Sequence, residues 1–334
     1  MSRILLLSVL LTSFLLAPRP DSPVADRPTT GGYTTTVLET LGGGFTFPNA
    51  INSDGVIAGT ATKEEGSFLP VIWEDGEIIQ LESLGIEGGS ANDINDAGQV
   101  VGWSVDEDEN WRATLWEDGE PVALDGEGGT ANAINEAGDI VGNAPTSSGE
   151  SHAALWRDGE LIFLETLGGT TSDAFDINEA GQIVGAATTE DGERHAVLWD
   201  DGEVIDLGLA GGSSSQAEAI NEDGVIVGWA SNEELDRTPV LWEDGEPVQL
   251  PLLGGTTGEA QYIDRTGTVV GSAEMEDEVT IAAIWIDGEP VPVGELRSGD
   301  YGSIAYAMNA DGVVIGFITN ELGLADPVVW TPKG

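Results

Sequence analysis

Cysteine is absent from this chain of 334 residues, and histidine and lysine are scarce. Without cysteine there is no disulfide, no thiolate nucleophile and no cysteine-ligated metal. The two histidines cannot form a histidine cluster, and the lysines are only Lys63 and Lys333. The sequence therefore nominates no metal site and no cofactor.

Positive charge is also rare: 60 acidic residues face 11 basic ones, for a net charge of −49. This charge excludes binding to a phosphate backbone, and the chain has no polybasic patch for a membrane surface. The acids are spread over the whole chain, which favours adaptation to high salt, where solvent cations screen their mutual repulsion. The alternative is that the acids bind a basic partner or specific cations.

The N-terminus has the composition of an export signal. An apolar run from Ile4 to Ala17 follows Arg3, and it is too short to span a bilayer as a helix. We predict a signal peptide over residues 1–25, a linker over 26–32, and an extracellular or envelope location with no membrane insertion after cleavage. An uncleaved N-terminal anchor is the alternative.

A motif recurs seven times along the rest of the chain, at a spacing of 40 to 45 residues. Its first marker is a tryptophan, at Trp73, Trp116, Trp156, Trp199, Trp242, Trp285 and Trp330. Its second marker is an asparagine or aspartate, at Asn52, Asn95, Asn135, Asn178, Asn221, Asp264 and Asn309. A fixed period of this length indicates a repeat architecture.

Each copy reads as two β-hairpins. The Asn-x-x-Gly sequence that begins at each second marker suits a type I turn, and an Asp-Gly pair follows the tryptophan in six copies. The short segments between these turns are rich in Ile, Val, Leu and Trp and show no helical period. Four strands, named a to d, in about 43 residues indicate a β-propeller blade. We predict one all-β domain, a seven-bladed β-propeller, over residues 33–334.

The chain ends predict how this ring closes. The seventh copy ends after strand c, whereas Leu38–Gly43 repeats the sequence of Leu164–Gly169, which ends the third copy. The segment Thr34–Leu41 is therefore expected to complete the seventh blade beside Val328–Trp330. Such closure removes open sheet edges. The recurring tryptophan is expected to fill the space between adjacent blades.

The combined pattern resembles the HAF repeat of probable extracellular proteins, which is named for a His-Ala-Phe-like triplet before the tryptophan. The nearest matches are His152-Ala-Ala-Leu-Trp156 and His195-Ala-Val-Leu-Trp199, and the other copies depart from His-Ala. The resemblance covers residues 33–334. It implies an extracellular repeat protein and no particular activity.

Candidate binding residues are those that break the repeat. In a propeller the a–b and c–d turns share one face, which is nearly constant here, and the b–c loops share the other, which varies. Variable loops on a rigid scaffold are where binding usually occurs. On this face, aromatic residues suited to stacking on a sugar or anchoring a partner, and arginines suited to a carboxylate or sulfate, are Trp103, Trp111, Arg112, Arg194, Trp229, Arg237 and Phe317.

The sequence favours a binding or structural scaffold for an envelope glycan or protein. No Gly-x-Ser-x-Gly elbow is present, and no catalytic residue is nominated. The alternative is a carbohydrate-active hydrolase or lyase at the central channel, where Glu218 and Tyr306 are the reactive side chains expected. A third reading is a self-associating surface-layer component.

Overall fold

The computed structural model describes residues 32–232 and 236–333, and it is built of 28 β-strands in seven four-stranded antiparallel sheets. This confirms the predicted seven-bladed β-propeller. No helix long and apolar enough to cross a membrane occurs in these two ranges. The predicted signal peptide, and the linker apart from Gly32, lie outside the described residues.

Each blade runs from the inside of the ring to the outside in the order a to d. Blade 1 comprises β2 (Thr46–Ile51), β3 (Ile57–Thr62), β4 (Phe68–Glu74) and β5 (Glu77–Gln80). Blade 2 comprises β6 (Ile86–Ile94), β7 (Val100–Val105), β8 (Trp111–Glu117) and β9 (Glu120–Ala123). Blade 3 comprises β10 (Thr130–Ile134), β11 (Ile140–Pro145), β12 (Ser151–Arg157) and β13 (Glu160–Phe163). Blade 4 comprises β14 (Gly168–Ile177), β15 (Ile183–Thr189), β16 (Arg194–Asp200) and β17 (Glu203–Gly208).

The remaining blades follow the same plan. Blade 5 comprises β18 (Ser214–Ile220), β19 (Ile226–Ser231), β20 (Arg237–Glu243) and β21 (Glu246–Gln249). Blade 6 comprises β22 (Gly254–Ile263), β23 (Val269–Met275), β24 (Thr280–Ile286) and β25 (Glu289–Pro292). Blade 7 comprises β26 (Gly302–Met308), β27 (Val314–Thr319) and β28 (Ala325–Pro332), with β1 (Tyr33–Val37) as its outer strand.

The ring closes through strands from both ends of the chain, as predicted. Strand β1 pairs antiparallel with β28, with Thr34 opposite Thr331 and Val37 opposite Val328. The strand ends at Val37, which is earlier than the predicted Leu41, although the Leu38 amide still donates to the Pro327 carbonyl. Without β1, strand β28 would be an unpaired edge.

The turns adopt the backbone that their residues favour. In the first Asp-Gly hairpin, Asp75 and Gly76 have φ values of 52° and 86°, as a type I′ turn requires. In the first Asn-x-x-Gly turn, Gly55 has a φ of 84° and donates to the Asn52 carbonyl. Both turns lie on the same face of the ring, which we call the constant face.

The recurring tryptophans lie between blades, and each exposes 3% of its surface or less. Trp199 of blade 4, for example, packs with Val141 and Leu155 of blade 3. The first six also donate from the indole nitrogen to a backbone carbonyl 2.7–3.2 Å away. The acceptor lies in the segment that enters their own blade, except for Trp242, whose acceptor Leu207 is near the end of the preceding outer strand β17. The tryptophan side chain thus fills the gap between two blades, and its hydrogen bond fixes the backbone that connects them.

The recurring asparagines form a second link around the ring. The Asn52 amide nitrogen donates to the Asn95 carbonyl at 3.2 Å, and the same bond joins blade 2 to 3, 3 to 4, 4 to 5 and 5 to 6. Asn309 closes the circle to the Asn52 carbonyl at 3.5 Å. Blade 6 carries Asp264 at this position, and a carboxylate has no such donor.

Candidate functional site

The innermost strands line a central channel, and each carries a β-bulge at the same repeat position. The bulged residues are Asn49, Asn92, Asn132, Phe175, Glu218, Gln261 and Tyr306. The three asparagines of blades 1 to 3 donate to the next inner strand at 2.8 Å. The other four residues do not make this link, since Phe175 has no donor and Gln261 donates to Glu259 instead, so the channel wall is chemically distinct in blades 4 to 7.

Two of the predicted arginines join adjacent blades on the variable face, which is the end of the ring that carries the b–c loops. Arg194 of blade 4 lies 3.1 Å from Asp173 and donates to Gln216 of blade 5. Arg237 of blade 5 lies 2.8 Å from Glu259 of blade 6. Each guanidinium already has an anionic partner, so both arginines act as blade-to-blade ties in this structure.

Trp229 lies inside the same network rather than at the surface, because it exposes only 5% of its area. Its indole nitrogen donates to the Glu218 carboxylate at 2.7 Å, and the Arg237 guanidinium lies 4.0 Å above its ring. A cation over an indole face is a favourable electrostatic contact. Glu218, Trp229, Arg237 and Glu259 therefore form one cluster, which we call the channel cluster.

Burial in this cluster, with a smaller contribution from the neighbouring Glu259 carboxylate, raises the pKa of Glu218 from 4.5 to about 7. Hydrogen bonds from Trp229 and Gln216 act in the opposite direction. Burial also raises the pKa of Glu259, while Arg237 opposes that rise. Glu218 is therefore a carboxyl group that exchanges its proton near neutral pH.

An aromatic cluster joins blades 7 and 1. The Phe317 ring lies 5.4 Å from that of Phe47 in an edge-on contact and 5.8 Å from that of Tyr306. Phe317 is 5% exposed, and burial raises the pKa of Tyr306 above its ordinary value. These contacts close the wall of the channel with apolar surface.

Blade 2 carries the exposed aromatic pair of the variable face. The rings of Trp103 and Trp111 are stacked with centroids 4.8 Å apart and planes at 28°, and Trp111 is 37% exposed. Arg112 lies next to Trp111, with its guanidinium 3.7 Å from the Asp106 carboxylate. The buried Nε of Arg112 has no hydrogen-bond partner among the described residues.

The structure thus separates the predicted site residues into several groups. Arg194, Trp229 and Arg237 belong to the blade-to-blade network, and Phe317 packs with Phe47 and Tyr306. Trp103 and Trp111 form a stacked pair, whereas Arg112 lies opposite Ser104, on the other face of the same sheet. Sequence reasoning missed Asp173, Gln216 and Glu259, which complete the network. These three residues occupy the same repeat position on the inner strands, where blades 1 to 3 have Phe47, Ser90 and Thr130. An alignment of the seven repeats at that position would have identified them.

The aspartates Asp93 and Asp176 link adjacent blades. Asp93 accepts from the Ile94 amide and from Ile134 of the next blade, both within 3 Å. Asp176 makes the same pair of contacts between blades 4 and 5. Across residues 32–232 and 236–333, no three His, Asp or Glu side chains are grouped so as to hold a metal ion.

The fold places this protein among the seven-bladed β-propellers, and comparison with solved structures agrees. It is similar to the β-propeller domain of the Trilobed protease from Pyrococcus furiosus, with a TM-score of 0.58 and 14% identity over 86% of this chain and 95% of that one. It is also similar to an acylaminoacyl peptidase from Pyrococcus horikoshii, with a TM-score of 0.58 and 16% identity over 89% of this chain. No family model matches the sequence, and no curated protein matches it.

A third similar structure is a puromycin-hydrolyzing peptidase from Mycobacterium tuberculosis, with a TM-score of 0.54 and 12% identity over 90% of this chain. This chain spans 54% of the Pyrococcus horikoshii peptidase and 56% of the mycobacterial one. At these identities the likeness concerns the fold alone, and function must be argued from the site.

Proposed function

We propose that this chain is a secreted, salt-adapted binding scaffold that recognises an envelope glycan through the Trp103–Trp111 pair of blade 2. The observation that carries the proposal is exposure: Trp111 presents 37% of its surface on the variable face, whereas Trp229 and Phe317 present 5% each. A flat indole face that is held in place by a second stacked indole suits the apolar face of a sugar ring.

The surroundings of the pair support this choice. The rings belong to neighbouring strands β7 and β8 of a closed blade, so ligand binding does not have to order them first. An envelope protein with an exposed aliphatic patch is the other partner that such a surface could take.

The test is a screen of glycans and envelope fractions in molar salt, with Trp111→Ala as the decisive variant. We expect Trp111→Ala to weaken glycan binding at least about tenfold, because a comparable stacking contact, that of a nucleic-acid base on an aromatic side chain, contributes about 1–3 kcal/mol. Phe163→Ala is the matched control, since Phe163 is 41% exposed but lies on the outer strand of blade 3. Glycan binding that survives Trp111→Ala unchanged contradicts the proposal.

A carbohydrate-active hydrolase or lyase is the second candidate, and the channel cluster is the observation that favours it. Glu218, with a pKa of about 7, has the proton affinity of a general acid, and Glu259 supplies a second carboxyl group on the adjacent blade. The purified protein would then cleave a polysaccharide in molar salt, and Glu218→Gln would abolish the cleavage. Absence of turnover across a polysaccharide panel removes this candidate.

A further inference from the structure

A cavity of about 350 Å³ lies on the constant face where blade 7 meets blade 1, at the opposite end of the ring from the variable face. We infer that this cavity binds a neutral polyhydroxylated ring, such as one sugar residue. Its size is within the range of small-molecule sites, which is about 300–1,000 Å³. We call it the seam cavity, because β1 and β28 close the ring beside it.

Three residues of blade 7 with short side chains line the cavity, and one of them, Val313, has a counterpart of similar size in blades 1, 5 and 6, which carry Val56, Val225 and Thr268. Thr36, Val313 and Thr331 all contribute to its wall. At the position of Thr36 the other outer strands carry Ile or Val, and at the position of Thr331 blades 1 to 5 carry Glu, Asp or Arg. Space that larger side chains occupy in other blades is therefore left open here.

Blades 2 and 4 show how that space is filled elsewhere. Gln99 of blade 2 donates to Glu117 and accepts from Asn95, both at 2.9 Å. Gln182 of blade 4 makes the same pair of bonds with Asp200 and Asn178. Val313 occupies this position in blade 7, and it can form neither bond.

The space beside the glycine of the Asn-x-x-Gly turn in the next blade shows whether the gap is filled. A Cβ atom placed on Gly138 or Gly224 would lie 3.9 or 3.6 Å from the glutamine side chain of the preceding blade, and one on Gly181 would lie 3.4 Å from Arg157. A Cβ atom on Gly55, which lines the seam cavity, would meet nothing within 4 Å. The same holds for Gly98 and Gly267, where the preceding blade also carries a valine, Val56 or Val225, in place of the glutamine.

The lining decides the class of ligand. Leu38, Ile51, Ile57 and Val329 provide an aliphatic surface, while hydroxyl and carboxylate groups such as those of Ser53, Asp54 and Asp311 provide acceptors and donors. No Lys, Arg or His lines the cavity, so an anion would meet carboxylates without a compensating cation. A sugar ring matches this lining because it has apolar C–H faces and hydroxyl groups at its edge.

An organic cation fits less well. The carboxylates of Asp54 and Asp311 belong to exposed residues, and exposed ion pairs contribute little, about 0–1 kcal/mol, and less in high salt. Contacts with aliphatic side chains and hydrogen bonds to hydroxyl groups are not screened in this way. The balance of the lining therefore favours a neutral ligand.

The experiment uses the full chain in molar potassium chloride and calorimetric titration with defined probes. The neutral probes are glucose, galactose and N-acetylglucosamine, and the charged probes are glucuronate and choline. We expect at least one neutral sugar to bind more tightly than both charged probes. Methyl resonances of Ile51, Ile57 and Val313 should shift on titration in the wild-type protein, which places the sugar in the cavity without any substitution.

The decisive variant combines Val313→Gln with Thr331→Glu, which gives blade 7 the pair that fills the gap in blade 2. We expect it to lower the affinity for the sugar at least about tenfold while the melting temperature is retained. Val225→Gln is the matched control, because Val225 holds the same repeat position in blade 5, where its amide donates to Asn221 as that of Val313 donates to Asn309.

Three results overturn the inference: no binding by any neutral sugar, tighter binding of glucuronate or choline, or sugar binding and methyl shifts that survive the cavity-filling variant. If that variant proves unstable, the methyl shifts of the wild-type protein decide the question. The outcome is separable from that of the proposed function, because Trp111→Ala leaves the seam cavity intact.

Discussion

At the residue scale, each conserved position of the repeat combines packing with a directed hydrogen bond. Trp116 fills the gap between blades 1 and 2 and donates from its indole nitrogen to the Glu82 carbonyl at 2.7 Å. Asn95 accepts from the Gln99 amide within its own turn and donates to the Asn135 carbonyl of the next blade. Neither function can be replaced by size or polarity alone, which explains why these residue types recur.

The first prediction separates the packing of Trp116 from its hydrogen bond. We expect Trp116→Phe to lower the free energy of unfolding by about 1–3 kcal/mol, because a buried carbonyl loses its donor. Trp116→Ala should lower it by about 3–5 kcal/mol, because a cavity is added. Denaturant unfolding in molar salt measures both. The control is Trp111→Ala, at an exposed tryptophan. If it lowers the free energy of unfolding as much as Trp116→Ala does, the stabilising role assigned to the buried Trp116 is contradicted.

The second prediction concerns the link that blade 6 lacks. Asp264→Asn supplies an amide donor toward the Asn309 carbonyl, and its remaining oxygen can still accept from the Thr266 and Thr268 amides. We expect the variant to be more stable by about 0.5–1.5 kcal/mol, the usual contribution of one such bond. The reverse change, Asn95→Asp, should destabilise the protein. If Asp264→Asn and Asn95→Asp change the free energy of unfolding equally and in the same direction, the asparagine bonds between blades do not stabilise the protein as proposed.

The third prediction follows from the raised pKa of Glu218. The folded protein holds this proton up to a pH of about 7, whereas the unfolded chain releases it near 4.5, so folding is favoured most at low pH. The contribution of Glu218 to stability is therefore lost as the pH rises from 4.5 to about 7. Asp93 and Asp176, whose pKa values burial raises to about 7 and about 6, act in the same direction.

The variant Glu218→Gln measures how much of this pH dependence of stability comes from Glu218. We expect the variant to flatten the fall in unfolding free energy between pH 4.5 and 7, as measured by denaturant unfolding in molar salt. The fluorescence of Trp229, which donates to the same carboxylate, should report the titration in the wild-type protein. Glu243→Gln, on an exposed glutamate of the same blade, is the control. A pH profile that Glu218→Gln leaves unchanged contradicts the raised pKa.

At the scale of the strand and hairpin, local sequence was a sufficient guide. The Asp-Gly and Asn-x-x-Gly turns adopt the positive φ angles that their glycines permit, so the position of every hairpin could be predicted. The bulge in each inner strand was not predicted, because no special residue marks it: Asn, Phe, Glu, Gln and Tyr all occupy it. The bulge determines which side chains line the channel. The contacts of the channel cluster could therefore not be predicted without it.

The fourth prediction tests strand β1 as the closing element. Deleting residues 33–43 removes the partner of β28 and the Glu39 carbonyl that accepts from Trp73. We expect a large loss of stability across the whole domain and a tendency to associate through the exposed strand edge. Thermal unfolding and light scattering measure these effects. Unchanged melting of the deleted protein contradicts closure by this strand.

At the scale of the whole molecule, two properties dominate: a closed ring and a charge of −49. Blade 7 has the weakest contacts with its two neighbouring blades. The Asn309–Asn52 bond is the longest of the asparagine links at 3.5 Å, Asp264 provides no link from blade 6, and the seam cavity lies toward blade 1. The charge opposes compactness in dilute buffer, because repulsion between exposed carboxylates is then unscreened.

The fifth prediction follows from that charge. Dialysis from molar salt into dilute buffer should cause loss of β-structure, because the Debye length grows from about 3 Å at 1 M to about 30 Å at 0.01 M. Circular dichroism at a series of salt concentrations measures the loss. Sucrose at equal osmolality is the control, since it does not screen charge. A spectrum that stays unchanged in dilute buffer contradicts salt adaptation.

The sequence by itself determined the number of blades, the hairpins, the closure by β1 and the burial of the recurring tryptophans. These features depend on local turn chemistry and on a period that is repeated seven times, so each copy confirms the others. Tertiary structure decided which exceptional residues meet. Arg194 and Gln216, Arg237 and Glu259, and Trp229 and Glu218 are brought together by the bulges and by the packing of adjacent blades. The seam cavity likewise arises where side chains from both ends of the chain fail to fill one gap, and no single repeat contains that information.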